Sequence, residues 1–243
     1  MVGDQIMLHK KLIDRLAYAH DASVYRLVPE AVARPENESD VKDLLEYAIS
    51  NGTSVTFRTA GTSLSGQTVT KGIIAEVVRG WKRHEILDNG AAIQLQPGVI
   101  GGRSNLYLQP YHRRIGPDPA SIDSAMIGGI ISNNSSGMVC GVKHNSYHTL
   151  RHIRFILANG NRYDTSNPDD YEKFLNIEKD LCTGLLLCRK EIENNSTLKN
   201  KVRRKYSIKN TLGYSLNSFI DFNHPLDIFA HLLIGAEGTL AFI

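Results

Sequence analysis

The sequence predicts an α+β fold with mixed sheets, gathered into two lobes. Three observations carry this. Apolar residues recur at helical spacing in blocks, short β-branched runs lie between the blocks, and a hairpin with an Asn-Gly turn interrupts the order. A doubly wound parallel fold would need more regular strand–helix alternation and ranks second. The chain has 243 residues, enough to bury a sizeable core without disulfides or metals. Hydrophobic residues at 42% and charged residues at 22% are ordinary for a folded protein. They exclude a disordered tail, a collagen-like repeat and a disulfide mini-protein. No uncharged apolar run approaches the ~18 residues that a membrane-spanning helix needs.

In chain order, the opening segment to about Leu27 reads as helix, with Leu8, Leu12, Ile13 and Leu16 at helical spacing. Ser39 reads as an N-cap with Asp40 in the first turn. Val41, Leu44, Leu45 and Ala48 then follow at helical spacing, and Asn51-Gly52 closes the helix. Residues 54–58 form a strand, and a Gly/Ser/Thr-rich loop runs from Ala60 to Thr70. A second strand covers 73–78, a third 91–95, and residues 101–108 are helical. Residues 115–141 carry Gly116, Gly128, Gly129, Gly137 and Gly141 among many Ser and Asn, and read as loop approaching a ligand. Ile153–Leu157, Asn159-Gly160 and Arg162-Tyr163 form the hairpin. Helices follow at about 168–176 and 178–194, and a last strand starts after Gly238.

The formal charge of +3 is local in origin. Lys199, Lys201, Arg203, Arg204, Lys205 and Lys209 fall within eleven residues that hold no acid. Setting those six aside leaves 22 Lys+Arg against 25 Asp+Glu. The run reads first as a solvated face and second as a contact for an anionic cofactor, substrate or partner. Nucleic acid is not expected, since no aromatic interleaving or nucleic-acid motif accompanies the charge. Cys140, Cys182 and Cys188 form no CxxC pair and read as free buried thiols of a reducing compartment. The first ten residues lack a signal-peptide core, so a cytoplasmic location is expected, with peripheral membrane attachment left open. His144, His148 and His152 stand at four-residue intervals. The strand expected from Arg151 onward argues against a shared helical metal face. Trp81 and the tyrosines read as core or rim residues. No G-x-S-x-G elbow supports a hydrolase.

Chemistry concentrates in three glycine-rich loops. The first is Arg58-Thr-Ala-Gly61-Thr-Ser-Leu-Ser-Gly66-Gln-Thr68. Its glycines permit positive φ and close backbone approach, and successive N–H groups can cradle an anion such as a pyrophosphate. The loop is one residue from a P-loop, but Gln67 replaces the phosphate-binding Lys, and no convincing Walker-B strand appears. The Rossmann pattern G-x-G-x-x-G does not fit it either. The second loop runs from Gly116-Pro-Asp-Pro119 through Gly128-Gly129 to Asn134-Ser-Ser-Gly137. The third is Gly235-Ala-Glu-Gly-Thr-Leu-Ala-Phe-Ile243.

These motifs, in this order and spacing, resemble the FAD-binding domain of the vanillyl-alcohol oxidase and p-cresol methylhydroxylase superfamily. The resemblance is closest to its D-lactate and D-2-hydroxyglutarate dehydrogenase branch, and it covers the chain from about Pro35 to Ile243. Arg58 to Gly66 matches Arg-Gly-x-Gly-Thr-Ser-Leu-Ser-Gly. Met126 to Gly129 matches Thr-Ile-Gly-Gly, Asn134 to Gly137 matches Asn-Ala-Gly-Gly, and Gly235 to Ala241 matches Gly-Ser-Glu-Gly-Thr-Leu-Gly. Lys209-Asn-Thr-Leu-Gly-Tyr-Ser-Leu-Asn217 further resembles a subgroup of long proteins that fuse the flavin part to an iron–sulfur part.

The resemblance implies a two-lobed FAD-binding domain of mixed sheets, with a first lobe over about 35–110 and a second over about 111–243. It places Thr59, Ala60, Gly61, Thr62, Ser63, Leu64, Ser65 and Gly66 on the FAD pyrophosphate. Pro119, Ser121, Ala125, Met126, Gly128 and Gly129 would lie along the ribityl chain and isoalloxazine. Ser132, Asn134 and Ser135 would continue that wall, and Glu237, Gly238 and Ile243 would close the adenosine side. Thr59, Met126, Ser135-Ser136 and Ala241 depart from the pattern, and Met126 removes a hydroxyl expected near the flavin. Members that attach FAD covalently carry His where Thr62 stands, so non-covalent FAD is implied.

The implied reaction is oxidation of a D-2-hydroxy acid to the 2-oxo acid. The electron acceptor would be other than NAD, namely a fused iron–sulfur region or a quinone. The substrate or cap domain of the family would lie beyond Ile243. The chain therefore reads as a fragment that ends between the flavin part and the substrate part, and no catalytic residue is assigned. The rival readings are another flavin oxidoreductase on the same fold and a non-catalytic nucleotide-binding module.

Overall fold

A computed structural model describes residues 7–243. In chain order the elements are β1 (Leu8–His9), α1 (Leu12–Ala17), β2 (Ala31–Ala33), α2 (Glu38–Ser50), β3 (Val55–Arg58), β4 (Ile73–Glu76), β5 (His84–Leu87), β6 (Ala92–Leu95), α3 (Gly101–Leu108), α4 (Ile127–Asn133), α5 (Ser146–Thr149), β7 (Arg154–Ile156), β8 (Arg162–Asp164), α6 (Pro168–Ile177), α7 (Lys179–Asn194), α8 (Ser196–Tyr206), α9 (Ser218–Asp221) and α10 (Pro225–Leu232). This is an α+β arrangement. Its largest sheet is mixed, in the order β1-β2-β4-β3, with β1 antiparallel to β2 and with β2 and β3 both parallel to β4.

The central strand explains its own sequence. Ile73, Ile74 and Ala75 are fully buried, as expected of a strand covered on both faces and flanked by parallel neighbours. Helix α2 covers this sheet with Val41, Leu44 and Ala48. Its cap lies two residues before the expected Ser39. Asn37 accepts from the Asp40 N–H at 3.0 Å, and the Asp40 carboxylate accepts from the Glu36 N–H at 2.7 Å. This reciprocal box satisfies two amides that the helix leaves free, so Ser39 falls inside the first turn. Asn51 and Gly52, with φ +62, end the helix as the sequence indicates.

A second apolar core is built from β7, β8, α6, α7, α9 and α10, around Phe155, Tyr163, Phe174, Leu226 and Phe229. The β7–β8 hairpin has the expected Asn-Gly turn, with Gly160 at φ +82. The two regions meet at Phe242. Its N–H and C=O pair with Ile156 at 3.0 and 2.8 Å, and its ring lies 4.8 Å from Phe57 and 5.2 Å from Trp81. The residues after Gly238 therefore form a turn and a single bridge where a strand was expected.

Several elements correct the sequence reading. Leu8 lies in β1, helix α1 covers only Leu12–Ala17, the part of the expected helix in residues 1–6 lies outside the described residues, and residues 18–28 form a compact turn in which Leu27 N–H bonds Ala19 O at 2.9 Å. Asp21 accepts from the Ser23 N–H at 2.8 Å, so short polar side chains offer the backbone an alternative to helix. Strand β5 pairs with β6 and was not anticipated. The basic run forms α8 and the segment after it. His148 lies in the one-turn α5, with His144 and His152 outside it. Cys188 is exposed, whereas Cys140 and Cys182 are buried.

Helix α4 lies inside the segment expected to be loop. Ile130 is buried at 1% exposure and holds it in place. Gly128 and Gly129 disfavour helix by roughly 1 kcal/mol each. The backbone approach at Gly128 offsets part of this, because a Cβ there would lie 2.7 Å from Pro97 Cβ. The N-cap of α4 is Met126, which provides no side-chain cap. The missing hydroxyl at this position is thus first of all a missing helix cap. Met126→Thr is expected to raise stability by about 0.5–1 kcal/mol. A urea midpoint at or below the wild-type value would show that Met126 packing outweighs the cap.

Candidate cofactor-binding site

The first loop leaves β3 at Thr59 and returns at β4. Gly61 and Gly66 both take positive φ, +66 and +79. Each glycine has a reason. A Cβ on Gly61 would sit 2.6 Å from Arg58 Nη2, and one on Gly66 would sit 2.8 Å from the Tyr25 ring. Arg58 is held from the N-terminal turn: its Nη1 donates to Tyr18 O at 3.2 Å, and its guanidinium lies 5.4 Å from the Tyr18 ring centroid. Burial pushes its pKa below the ordinary guanidinium value. Ala22 N–H donates to Gly61 O at 3.1 Å. Asp21 accepts from Thr68 Oγ1 at 2.9 Å. Burial would raise the Asp21 carboxyl, but the bonds from Ser23 and Thr68 outweigh it and hold the pKa low. A cleft of about 240 Å³ opens between Tyr25, Arg26 and Leu27 on one side and Ser65, Gly66 and Val69 on the other. The residues from Tyr18 to Leu27 belong to this site, and the helical expectation concealed them. Thr59, Ala60, Thr62 and Ser63 are half-buried, and Leu64 and Ser65 point outward.

The second loop meets the first at Thr59. A Cβ on Gly128 would lie 3.3 Å from Thr59 Cγ2, and one on Gly129 would lie 3.2 Å from Thr59 Oγ1. Upstream, Pro119 O accepts from Ile122 N–H at 2.9 Å, and Ser121 O accepts from Ala125 N–H at 2.7 Å. Ala125 is buried, and its carbonyl accepts from Gly101 N–H at 2.9 Å. Downstream, a Cβ on Gly137 would fall 1.6 Å from Asp118 O, so the two ends of the loop are in backbone contact. Asn134 takes φ +49 at the end of α4 and is buried. Ser135 Oγ donates to Asn133 Oδ1 at 2.7 Å. Asn134 Oδ1 and Ser136 Oγ are buried and have no hydrogen-bond partner.

The third loop closes on the C-terminal end of α4. Glu237 N–H donates to Ser132 O at 2.8 Å, and Asn133 Nδ2 donates to Glu237 Oε1 at 2.6 Å. Gly235 N–H donates to Ile131 O at 3.2 Å. Glu237 adopts φ +54, an uncommon conformation for a residue with a long side chain. Burial raises its pKa above the ordinary carboxyl value, against hydrogen bonds from Asn133 and Gln67 that lower it. Gln67, where a P-loop would carry Lys, also accepts from Ser63 Oγ. It therefore links the first loop to the third. Gly238 is exposed with φ +73. Ile243 packs on the second apolar core, away from this junction. Thus Thr59, Gly128, Gly129, Ser132 and Glu237 come together around α4, with Asn134 and Ser135 at its end.

The model of the family described as FAD binding domain matches residues 29–166. D-2-hydroxyglutarate dehydrogenase of Escherichia coli strain K12 is 28% identical over 243 aligned residues, covering 95% of this chain and 23% of that protein. Glycolate oxidase subunit GlcD of Bacillus subtilis strain 168 is 29% identical over 150 residues, covering 60% of this chain and 32% of that protein. D-lactate dehydrogenase of Archaeoglobus fulgidus is 26% identical over 234 residues, covering 93% of this chain and 41% of that protein. The chain thus spans under half the length of each of these relatives. Among solved structures, 6-hydroxy-D-nicotine oxidase of Arthrobacter nicotinovorans aligns with TM-score 0.56 at 17% identity, over 68% of this chain and 36% of that one. Glucooligosaccharide oxidase of Acremonium strictum aligns with TM-score 0.56 at 15% identity, over 68% of this chain and 35% of that one. These two likenesses show a shared fold.

The raised pKa of Glu237 has a direct consequence for stability. The folded chain keeps that proton to higher pH than the unfolded chain does. The contribution is therefore most favourable in acid and is lost as pH rises through the unfolded and then the folded value. Glu237→Gln keeps an acceptor for Asn133 and cannot ionise. Its melting temperature relative to wild type should rise between about pH 4 and about pH 7. A difference that stays flat or falls over this range would show that the carboxylate is not disfavoured there.

Proposed function

The chain belongs to the FAD binding domain family, whose model matches residues 29–166, and from that premise we propose that it is the flavin-binding part of an oxidoreductase that converts a D-2-hydroxy acid of the lactate or 2-hydroxyglutarate class to the 2-oxo acid. The observation that carries this reading is the convergence of three glycine-rich loops on α4, with two buried polar atoms left without partners. Asn134 Oδ1 is an acceptor and the Ser136 hydroxyl is a donor. A flavin ring offers both kinds of partner along its pyrimidine edge, and an orphaned buried polar group is costly unless a ligand or water completes it. The residues present therefore fit the group.

FAD, when bound, supplies the electron-accepting chemistry, and the protein's part is to hold and orient it. The backbone amides and hydroxyls of residues 59–66 would hold the pyrophosphate. Their glycines allow the backbone to approach, and Ser63 is already oriented by Gln67. Asn134, Ser135 and Ser136 would line the ring. Glu237 fixes the end of α4 through Asn133 and Ser132, so that this wall keeps its shape. Thr62 occupies the position at which covalent members carry His, which supports non-covalent attachment. The names of the relatives support a hydroxy-acid substrate. The electron acceptor in this reading is a fused iron–sulfur region or a quinone, and the protein works in the cytoplasm or at its membrane surface. No helix among the described residues is long and apolar enough to cross a membrane.

FAD added to the purified chain should stay with the protein through a desalting column, carrying its bands near ~370 and ~450 nm, and acid precipitation should release the colour to the supernatant. Free-flavin spectra at all protein concentrations would overturn the cofactor assignment, and colour held in the pellet would overturn the non-covalent one. The substrate class is tested on the longer protein with a dye acceptor. Reduction by D-lactate, D-2-hydroxyglutarate or a close D-2-hydroxy acid is expected, and the L-enantiomers should be inactive. Preference for an amine or a simple alcohol would replace this reading with another flavin oxidoreductase.

A further inference from the structure

The segment from Lys209 to Leu216 connects α8 to α9 and lies across the second and third loops. It is anchored along its length. Tyr206 OH donates to Tyr214 O at 2.7 Å and accepts from Leu216 N–H at 3.1 Å, closing the segment on the end of α8. The buried Ser215 Oγ donates to Ile234 O at 2.8 Å. Tyr214 OH shares a hydrogen bond of 2.9 Å with Thr239 Oγ1 of the third loop. From this strap the Lys209 ammonium reaches the second loop and donates to Ser136 O and Gly137 O, both at 3.0 Å. Among the described residues, no other side-chain cation hydrogen-bonds to residues 116–141.

Those two carbonyls belong to the turn that carries the unpartnered Asn134 Oδ1 and Ser136 Oγ, and Gly137 is pressed against Asp118. Two adjacent carbonyls that converge on one point repel each other unless a cation sits between them, and hydrogen bonds to an ammonium are the stronger kind. The backbone of this turn is therefore held in its conformation by a charge from outside the loop. We propose that Lys209 is a positioning residue of the cofactor site. It clamps the Ser136–Gly137 turn that carries the two buried unpartnered atoms, and it brings one positive charge beside that wall. The proposal rests on the FAD reading above and adds a residue and a role to it. The remainder of the basic run on α8 has no part in the clamp.

The test compares Lys209→Met, Lys209→Arg and Lys201→Met with wild type. The apo readout is amide hydrogen exchange at Asn134 and Ser135, whose N–H groups donate to Ile131 O and Ile130 O at the base of the turn. The holo readout is FAD affinity by fluorescence quenching. Lys209→Met should lose protection at these amides and bind FAD more weakly, each by a factor of about five to ten. Lys209→Arg should keep most of both. Lys201→Met, which removes an exposed charge of the same run, should change neither. Unchanged exchange at Asn134 and Ser135 in Lys209→Met overturns the clamp, whether or not FAD binds. Equal losses in Lys201→Met overturn it in favour of a general charge effect. A wild-type chain that binds no FAD but shows the predicted exchange pattern overturns the cofactor reading and supports the clamp alone.

Discussion

The candidate site depends on seven residues, Ile127–Asn133, and on the absence of side chains near their start. Gly128 sits where a Cβ would strike Pro97, and Gly129 sits against the Thr59 hydroxyl. This lets the first loop touch the helix backbone. The other end of the same helix receives Glu237 through Ser132 and Asn133. A short helix with two glycines has little stability of its own. Its formation depends on Ile130 in the core and on loops docked at both ends. The three loops and the helix are therefore mutually dependent, and a change that loosens one is felt by the others through a single element.

The electrostatics of the junction are sparing. The hydrogen bonds that join the loops come from backbone amides, from hydroxyls, and from the amides of Gln67 and Asn133. Charged side chains at the junction include Glu237 at one end of the helix, Lys209 at the turn beyond it and Asp118 beside Gly137, with Arg58 and Asp21 behind the first loop. Glu237 is held by neutral donors rather than by a cation, which is why burial prevails and its pKa rises. In the proposed function, a lining of neutral donors suits a dinucleotide, whose pyrophosphate can be bound by backbone N–H groups without an ion pair.

Much of this was legible in the sequence because the requirements were local. Gly61 and Gly66 are needed for positive φ and close approach within their own loop, and their spacing shows it. Helices α2 and α6 have a period and a side-chain N-cap of their own, and α7 has the period alone. What was hidden is non-local. The Lys209 ammonium meets Ser136 across 73 positions of sequence, and Asn133 meets Glu237 across 104. Neither residue type signals such a partner. Helix α4 was masked by its composition, since Gly, Ser and Asn around Ile130 describe loop unless the packing of that isoleucine is known. The turn at 18–28 was masked in the opposite way. Leu8, Leu12, Ile13 and Leu16 suggested one long helix, but Leu8 pairs in β1, the helix stops at Ala17, and Asp21 and Ser23 then hold the chain in a turn through a local side-chain bond.

The departures from the family pattern are informative in this light. A hydroxyl-bearing residue before the Ile-Gly-Gly run would cap α4, and this chain has Met126 there without a cap. The helix gains support at its other end, where Glu237 donates to the Ser132 carbonyl and Gly235 adds a second donor to the Ile131 carbonyl, which already accepts from Asn134 N–H. Beyond that end, Lys209 serves the carbonyls of Ser136 and Gly137. Stability that a cap would have supplied from within the loop is thus supplied from two distant segments. The junction is closed by the chain's C-terminal third, through the third loop and Lys209.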